Sequence, residues 1–401
     1  MDYDNFLNNF DKLSKIGWTE KNGTNRVSLN KYDLMARNEL VAQLRKIKAE
    51  TRFDDAGNIY GITGRSEGEI ITMGSHMDSV PNGGRFDGMY GVVAGFQVIK
   101  ELSNEGNRKR AAVIDFTNEE GSRWQPDLQG SGLATGVFKK DFAYSREDEE
   151  GLSFGEVLKK TSFLGTAENR VKKLRPDRYI ELHIEQGPVL EREGFEIGIP
   201  LGIATDIVDF YTFIGESNQA GPTPMNVRKD ALVSASKFIQ FVNETANKVG
   251  TQLVMTVGEI RNTPNVYSVI PRKVQLKLDT RSPDRKLAYE YSSIALEKAR
   301  EIAAGGGFQL RHKRGWTLDT TTFDKDLVAT IEKVCKKSNL KYKMIYSWPT
   351  HDAMYMNRIT STAMIMIPSH HGRSHTKEEY SSDSDLLRGL KVLKSTVDSL
   401  Q

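Results

Sequence analysis

"EIITMGSHMDSVPNGGRFDGMYGVVAGFQVIKELSN", residues 69–104, decides the architecture. An apolar run that stops at His76 reads as a short buried strand, and from Gly91 onward apolar residues recur at helical spacing. Between the two lies a glycine-rich loop that holds Asp78 and Asp87. The pattern is repeated nearby: "RNELVAQLRKI" (37–47) has helical spacing, and "AAVIDFTNEEG" (111–121) is a strand followed by Glu119 and Glu120. Alternating helices and strands predict an α/β domain with a mostly parallel sheet, in which functional groups collect just past the carboxyl ends of the strands. His76 and the Glu119–Glu120 pair then reach one rim from two neighbouring strands.

The texture changes near Tyr211. "YTFIGESNQAGPTPM" (211–225) leads to a helix "DALVSASKFIQFVNETANKV" (230–249), strands "QLVMTVGEI" (252–260) and "RKVQLKLDTRS" (272–282), a helix "KLAYEYSSIALEKAREIAAGGG" (286–307) and a strand "FQLRHKRG" (308–315). That order, β-α-β-β-α-β, predicts an α+β sandwich of the ferredoxin-like kind inserted into the first domain. After Asp319 the helix–strand alternation resumes, so residues 1–211 and 319–401 form a discontinuous domain, residues 212–318 the insert, and hinges are expected near Tyr211 and Asp319.

Composition excludes several classes. With 56 Lys and Arg against 53 Asp and Glu, the net charge is only +3 and no basic tract stands out, so no nucleic-acid partner is expected. The mean hydropathy is −0.50. The longest apolar run, "AMIMIP", is far short of the roughly 20 residues of a membrane-spanning helix, so no membrane association is expected either. The opening "MDYDNFLNNFDKLSKIG" is acidic and amphipathic, which reads as a first helix and not a secretion signal. A single cysteine, Cys335, sits in the helical stretch "LVATIEKVCKKSNL" as a buried free thiol. The expected compartment is reducing and cytoplasmic.

Six of the seven histidines fall in candidate site loops: His76, His183, His351, His370, His371 and His375, with His312 outside them. Imidazole and carboxylate together suit zinc and similar divalent ions. A pair of such ions about 3.5–4 Å apart needs a shared ligand, and Asp87, between Gly84 and Gly88, can approach two cations on a permissive backbone. Asp78 could accept the other ring N–H of His76 and fix its orientation. On an extended segment Glu119 and Glu120 face opposite ways, so one can bind metal while the other takes the proton of a bound water; the alternative is an acidic pair opening a helix.

Taken together, "GSHMDSVPNGGRFDGMYGV", "FTNEEGSRW", "ELHIEQGPVLE", "GPTPMNVRKDAL", "HDAM" and "SHTKEE" resemble the hydantoinase/carbamoylase-type amidases of the dizinc aminoacylase and carboxypeptidase clan. The resemblance spans nearly the whole chain. It implies two divalent metal ions per chain (Zn, Mn, Co or Ni), with His76, Asp87, Glu120, His183 and His375 as ligands and Asp87 as the bridge. Glu119 matches the general base and Asp78 the acid that supports the first histidine. Gln186, Gln219, Ser268, Arg281 and His351 fall at substrate-binding positions, Arg281 being suited to a substrate carboxylate. The implied activity is hydrolysis of a small N-carbamoyl-L-amino acid to amino acid, ammonia and carbon dioxide. Allantoate or another ureido acid, and an N-acyl amino acid or dipeptide, stand as alternative substrates. The insert is implied to act as a lid and as the dimerisation domain of a homodimer.

Departures from the family pattern lie around the substrate. Gln219 stands in "QAGPTPM" where the family has a histidine that reaches the other subunit's site, Ser268 replaces an asparagine, and Lys377 replaces a proline; "SWPT" precedes "HDAM" in place of Ser-Gly-Ala-Gly. Gln219 can donate an N–H but carries no charge. A catalytically impaired homologue that binds a small acid is therefore the second reading.

Overall fold

The computed structural model describes residues 1–64, 70–104 and 110–400. Glu69, where the opening stretch begins, lies outside them. The chain divides into two compact units: Met1–Leu201 with Phe323–Ser347 and His351–Gln401, and Gly202–Thr322 with Trp348–Thr350.

The first unit is built on a mixed sheet whose centre is parallel. Its four middle strands lie in the order Arg110–Phe116, Ile70–His76, Arg178–Ile184, Ser361–Ile367, all running the same way. Ile59–Thr63 joins one side antiparallel and in turn pairs with Glu50–Phe53; Ile197–Ile203 meets the other side antiparallel. Ile70–His76 is buried along its whole length. Parallel strands covered on both faces read as continuous apolar runs, which is why "IITMG", "AAVI" and "AMIMI" were recognisable. The helix Met89–Asn104 packs across three of these strands, and Asp383–Leu400 covers Ser361–Ile367. Helix starts are capped by side chains that accept their orphan N–H groups, such as Asn30 before Lys31–Lys46 and Asp324 before Lys325–Lys337. Cys335 is buried, and burial pushes its thiol up to about 12.

The second unit is a four-stranded antiparallel sheet in the order Val254–Thr263, Lys273–Ser282, Thr205–Ile214, Gln309–Leu318. Helices Ala231–Val249 and Arg285–Gly305 pack on one face, where Tyr211, Phe213, Val274, Leu276 and Leu278 meet Phe238, Ala235, Ala295 and Ala299. Its first strand begins at Thr205, six residues before the change of texture at Tyr211. The polar residues in "TDIVDF" concealed it. Asp209 there is fully buried and is satisfied by His312 at 2.8 Å, Arg314 at 2.6 Å and Ser292 Oγ at 2.7 Å.

Among the described residues no helix is long and apolar enough to cross a membrane. A buried ion pair joins the helix Lys31–Lys46 to the sheet: Arg37 Nη1 lies 3.1 Å from Asp115 Oδ2, both side chains being almost wholly excluded from water, and the Arg37 guanidinium also donates to Gly57 O. Removing one member of a buried pair leaves an uncompensated charge, which costs about 3–5 kcal/mol. Arg37→Met is expected to destabilise the protein by that amount, read as a lower midpoint in chemical denaturation.

Candidate metal centre

All four parallel strands deliver candidate ligands from their carboxyl ends. His76 closes its strand and His183 is the penultimate residue of its own. Glu119 and Glu120 follow the strand that ends at Phe116, and His375 follows the strand that ends at Ile367. They meet around Asp87. Its Oδ1 lies 3.5 Å from His76 Nε2 and 3.1 Å from His183 Nε2, while its Oδ2 lies 3.2 Å from His375 Nε2. Glu120 Oε2 is 3.4 Å from His375 Nε2, and Glu119 Oε2 is 3.5 Å from His76 Nε2. The donors therefore form two groups, His76–Asp87–His183 and Asp87–Glu120–His375, with Asp87 in both.

Proton placement at two of these rings is dictated by their neighbours. His76 Nδ1 is 2.9 Å from Asp78 O, and His183 Nδ1 is 2.9 Å from Ile184 O. A carbonyl oxygen can only accept, so Nδ1 carries the proton of each neutral ring and the Nε2 lone pair faces the Asp87 carboxylate. The His183 Nε2 also accepts from Gly88 N at 3.2 Å, and a lone pair opposed to a carboxylate repels it unless a cation or a proton sits between them. This donor set and this orientation fit divalent metal.

The surrounding charge has the same meaning. Burial works to lower His76, His183 and His375, yet all three are displaced upward by the nearby carboxylates, His375 to about 10. Burial raises Glu119 well above the usual carboxylate range and Glu120 to about 7, with Asp87 adding to both. Asp87 is held well below its usual range by its three histidines despite burial. These shifts mean that closely packed acids and imidazoles hold protons that a dication could replace.

Two glycines and one glutamate shape the bridge. A Cβ on Gly88, whose φ is +62°, would fall 2.4 Å from the His76 ring, and a Cβ on Gly84 would fall 2.0 Å from Glu379 Oε1. Glu379 is the residue that sequence reasoning missed. Its buried carboxylate accepts from the backbone N–H groups of Phe86 at 2.9 Å and Asp87 at 3.0 Å, from Ser374 Oγ at 2.7 Å and from His375 N at 3.3 Å. One side chain thus ties the Asp87 loop to the His375 loop. In "HTKEEY" nothing local distinguishes it from the neighbouring Glu378.

Other expectations change in detail. Glu119 and Glu120 are not on an extended segment: the strand stops at Phe116, and Asn118 takes a φ of 55°. Both carboxylates consequently point inward, one toward His76 and the other toward His375. The Asp78 carboxylate stands 3.7 Å from His76 Nδ1, whose partner is instead the Asp78 carbonyl. That carboxylate accepts from the N–H groups of Glu119 at 3.1 Å and Glu120 at 3.4 Å, so it holds the turn that carries them. Gln186 Nε2 donates to Asp87 Oδ2 at 2.6 Å. His351 is buried with its ring 4.4 Å from that of His183, in a group with Glu181. Glu181 itself accepts from Ser75 Oγ at 2.7 Å and Ala353 N at 2.8 Å. Glu185, beside Gln186, caps the helix Val189–Glu193 by accepting from Val189 N and Leu190 N, both at 2.9 Å.

Within the second unit, Gln219 and Ser268 are neighbours: Gln219 bridges to Val269, and Ala220 N donates to Ser268 O at 2.8 Å. Gln219 is exposed. Arg281 lies toward the far end of the strand Lys273–Ser282, about 27 Å along it at 3.4 Å per residue from Lys273. Its guanidinium is held by Asp279, Nε to Oδ1 at 2.9 Å and Nη2 to Oδ2 at 2.8 Å, and Nη1 donates to Trp348 O at 3.0 Å.

A mixed α/β fold with candidate metal ligands at the carboxyl ends of its parallel strands defines a class of metal-dependent hydrolases. Comparison with known proteins narrows it. The model of peptidase family M20/M25/M40 matches residues 72–399. Allantoate amidohydrolase of Bacillus subtilis (strain 168) is 31% identical over 385 residues, covering 95% of this chain and 93% of that one. N-carbamoyl-L-amino-acid amidohydrolase of Pseudomonas sp. (strain NS671) is 31% identical over 399 residues, with 96% and 95% covered. The crystal structure of an amidase of the hydantoinase/carbamoylase family from Burkholderia vietnamiensis superposes with a TM-score of 0.91 at 32% identity, covering 99% and 97%. The chain belongs to peptidase family M20/M25/M40 and, within it, to the hydantoinase/carbamoylase amidases. It is a hydrolase of C–N bonds.

Groups that orient metal ligands typically contribute 10–100-fold to metal affinity. Glu379→Ala is expected to weaken binding of added Mn²⁺ or Zn²⁺ by that factor while the far-ultraviolet circular dichroism stays unchanged, measured by calorimetric titration of the metal-free protein.

Proposed function

We propose that the protein is a metal-dependent amidohydrolase that cleaves the ureido C–N bond of a small N-carbamoyl-L-amino acid and releases amino acid, ammonia and carbon dioxide. The observation that carries this reading is the arrangement of two donor groups sharing Asp87 with Glu119 beside them in neither group. His76 and His183 would hold one divalent ion, Glu120 and His375 the other, and Asp87 both. Such ions lower the pKa of water and polarise a carbonyl oxygen. Glu119, buried and raised, is placed to take the proton of the attacking water and to return it to the leaving nitrogen. Asp78 keeps Glu119 and Glu120 on their turn, and Gln186 orients Asp87 and borders the place where the ureido group would lie.

Arg281 would take the substrate carboxylate, with Asp279 fixing the plane of the guanidinium. Gln219 and Ser268 lie beyond the opposite end of the same strand. One substrate could not touch both ends of a single unit, so their roles are reconciled if the second unit, acting as lid and dimerisation domain, presents Gln219 and Ser268 to a partner's site. A homodimer follows, with twice the 45.1 kDa mass of the chain in sedimentation. The relatives named for N-carbamoyl-L-amino acids and for allantoate share the metal chemistry, and the altered surroundings at Gln219 and Ser268 leave the ureido acid itself to be chosen by assay.

A general base usually contributes 10²- to 10⁴-fold. Glu119→Gln is expected to lose at least a hundredfold in turnover of N-carbamoyl-L-amino acids or allantoate with its metal content unchanged. A variant that hydrolyses at the wild-type rate overturns the mechanism, and bound ureido acid without product from the wild-type protein overturns the activity.

A further inference from the structure

Two histidines that the hydrolytic centre does not use, His370 and His371, sit side by side on the surface with ring centroids 3.9 Å apart. They face Glu191, on the helix Val189–Glu193. His370 Nδ1 is 2.7 Å from Glu191 Oε1, and His371 Nδ1 is 3.8 Å from Oε2. One donor atom from each of the three residues falls within 4.8 Å of the others. We propose that Glu191, His370 and His371 form a further, exchangeable site for a divalent transition-metal ion such as Zn²⁺, separate from the centre around Asp87.

The backbone builds this site. A Cβ on Gly372, whose φ is +64°, would fall 2.6 Å from Pro188 N, so segment 370–372 is pressed against the start of the Glu191 helix. His371 N donates to Glu191 Oε2 at 2.6 Å and sets the carboxylate's orientation. His371 itself adopts a φ of 54°, a region that glycine or asparagine enters more readily, and this turn brings its ring alongside that of His370. Two imidazoles and one carboxylate match the ligand preference of Zn²⁺, Ni²⁺ and Cu²⁺, whereas Mg²⁺ and Ca²⁺ favour oxygen alone. Half-exposed side chains leave the remaining positions to water, so the ion exchanges with solvent. Its place has a consequence. Bound there, it clamps the helix that follows the Gln186 loop to the segment that leads into His375.

The test is calorimetric titration of Zn²⁺ into the metal-loaded protein. The wild type is expected to take up one equivalent more than His370→Ala/His371→Ala, and His371→Asn, which suits the left-handed backbone, should lose the same equivalent. Glu191→Gln should weaken that event at least tenfold. Equal uptake by wild type and double variant, or an additional equivalent that persists in the double variant, overturns the proposal. Because the readout is a difference between two proteins, it does not depend on how many ions the Asp87 centre holds.

Discussion

The structure around the rim depends on one electrostatic constraint: the Asp87 carboxylate is surrounded by imidazole nitrogens on both of its oxygens, inside a ring of further acids. Oδ1 faces His76 and His183, and Oδ2 faces His375. Carboxylates packed this closely are costly in a dry interior unless positive charge is supplied. Much of the local architecture can be understood as a way of keeping that arrangement open for cations. Backbone carbonyls take the Nδ1 protons of His76 and His183, Gly84 and Gly88 clear space for Glu379 and the His76 ring, and Glu379 fixes the Asp87 loop by its N–H groups.

Support is layered beneath the rim. Asp78 does not act on the His76 ring through its carboxylate; it clamps the Glu119–Glu120 turn, and its carbonyl orients the ring. Glu181 ties Ser75, one residue before His76, to Ala353 on the "HDAM" segment. Arg37 and Asp115 form an ion pair at the end of the neighbouring strand. Each of these groups touches a segment that carries a candidate ligand, and none reaches the shared carboxylate itself.

Legibility followed physical rules. Three of the four parallel strands were readable because burial on both faces demands unbroken apolar runs; the fourth, Arg178–Ile184, was not, since Glu181 and His183 interrupt it, and the five candidate donors were named by the family resemblance. What escaped was relational. Glu379 is not distinguished from Glu378 in "HTKEEY" and is buried only because the chain returns Ser374 and His375 to the Asp87 loop. The expectation of opposed side chains at Glu119 and Glu120 assumed strand geometry, which Asn118 ends by turning left-handed. The start of the strand at Thr205 was hidden because Asp209 is polar by type yet buried with His312 and Arg314. Arg281 showed its charge in sequence but not its bidentate partner Asp279, two residues away on the same strand.

The strand ends that meet at the rim are far apart along the chain, with the whole second unit inserted between His183 and His375. A polypeptide emerging from the ribosome therefore exposes His76, Asp87, Glu120 and His183 long before the final imidazole and Glu379 arrive. Until then the early candidate donors are an incomplete set, and the Asp87 loop lacks its Glu379 anchor. The candidate donor set is thus completed only late in biogenesis, and a chain cut short ahead of Ser374 would hold most of these donors yet lack the clasp that joins them.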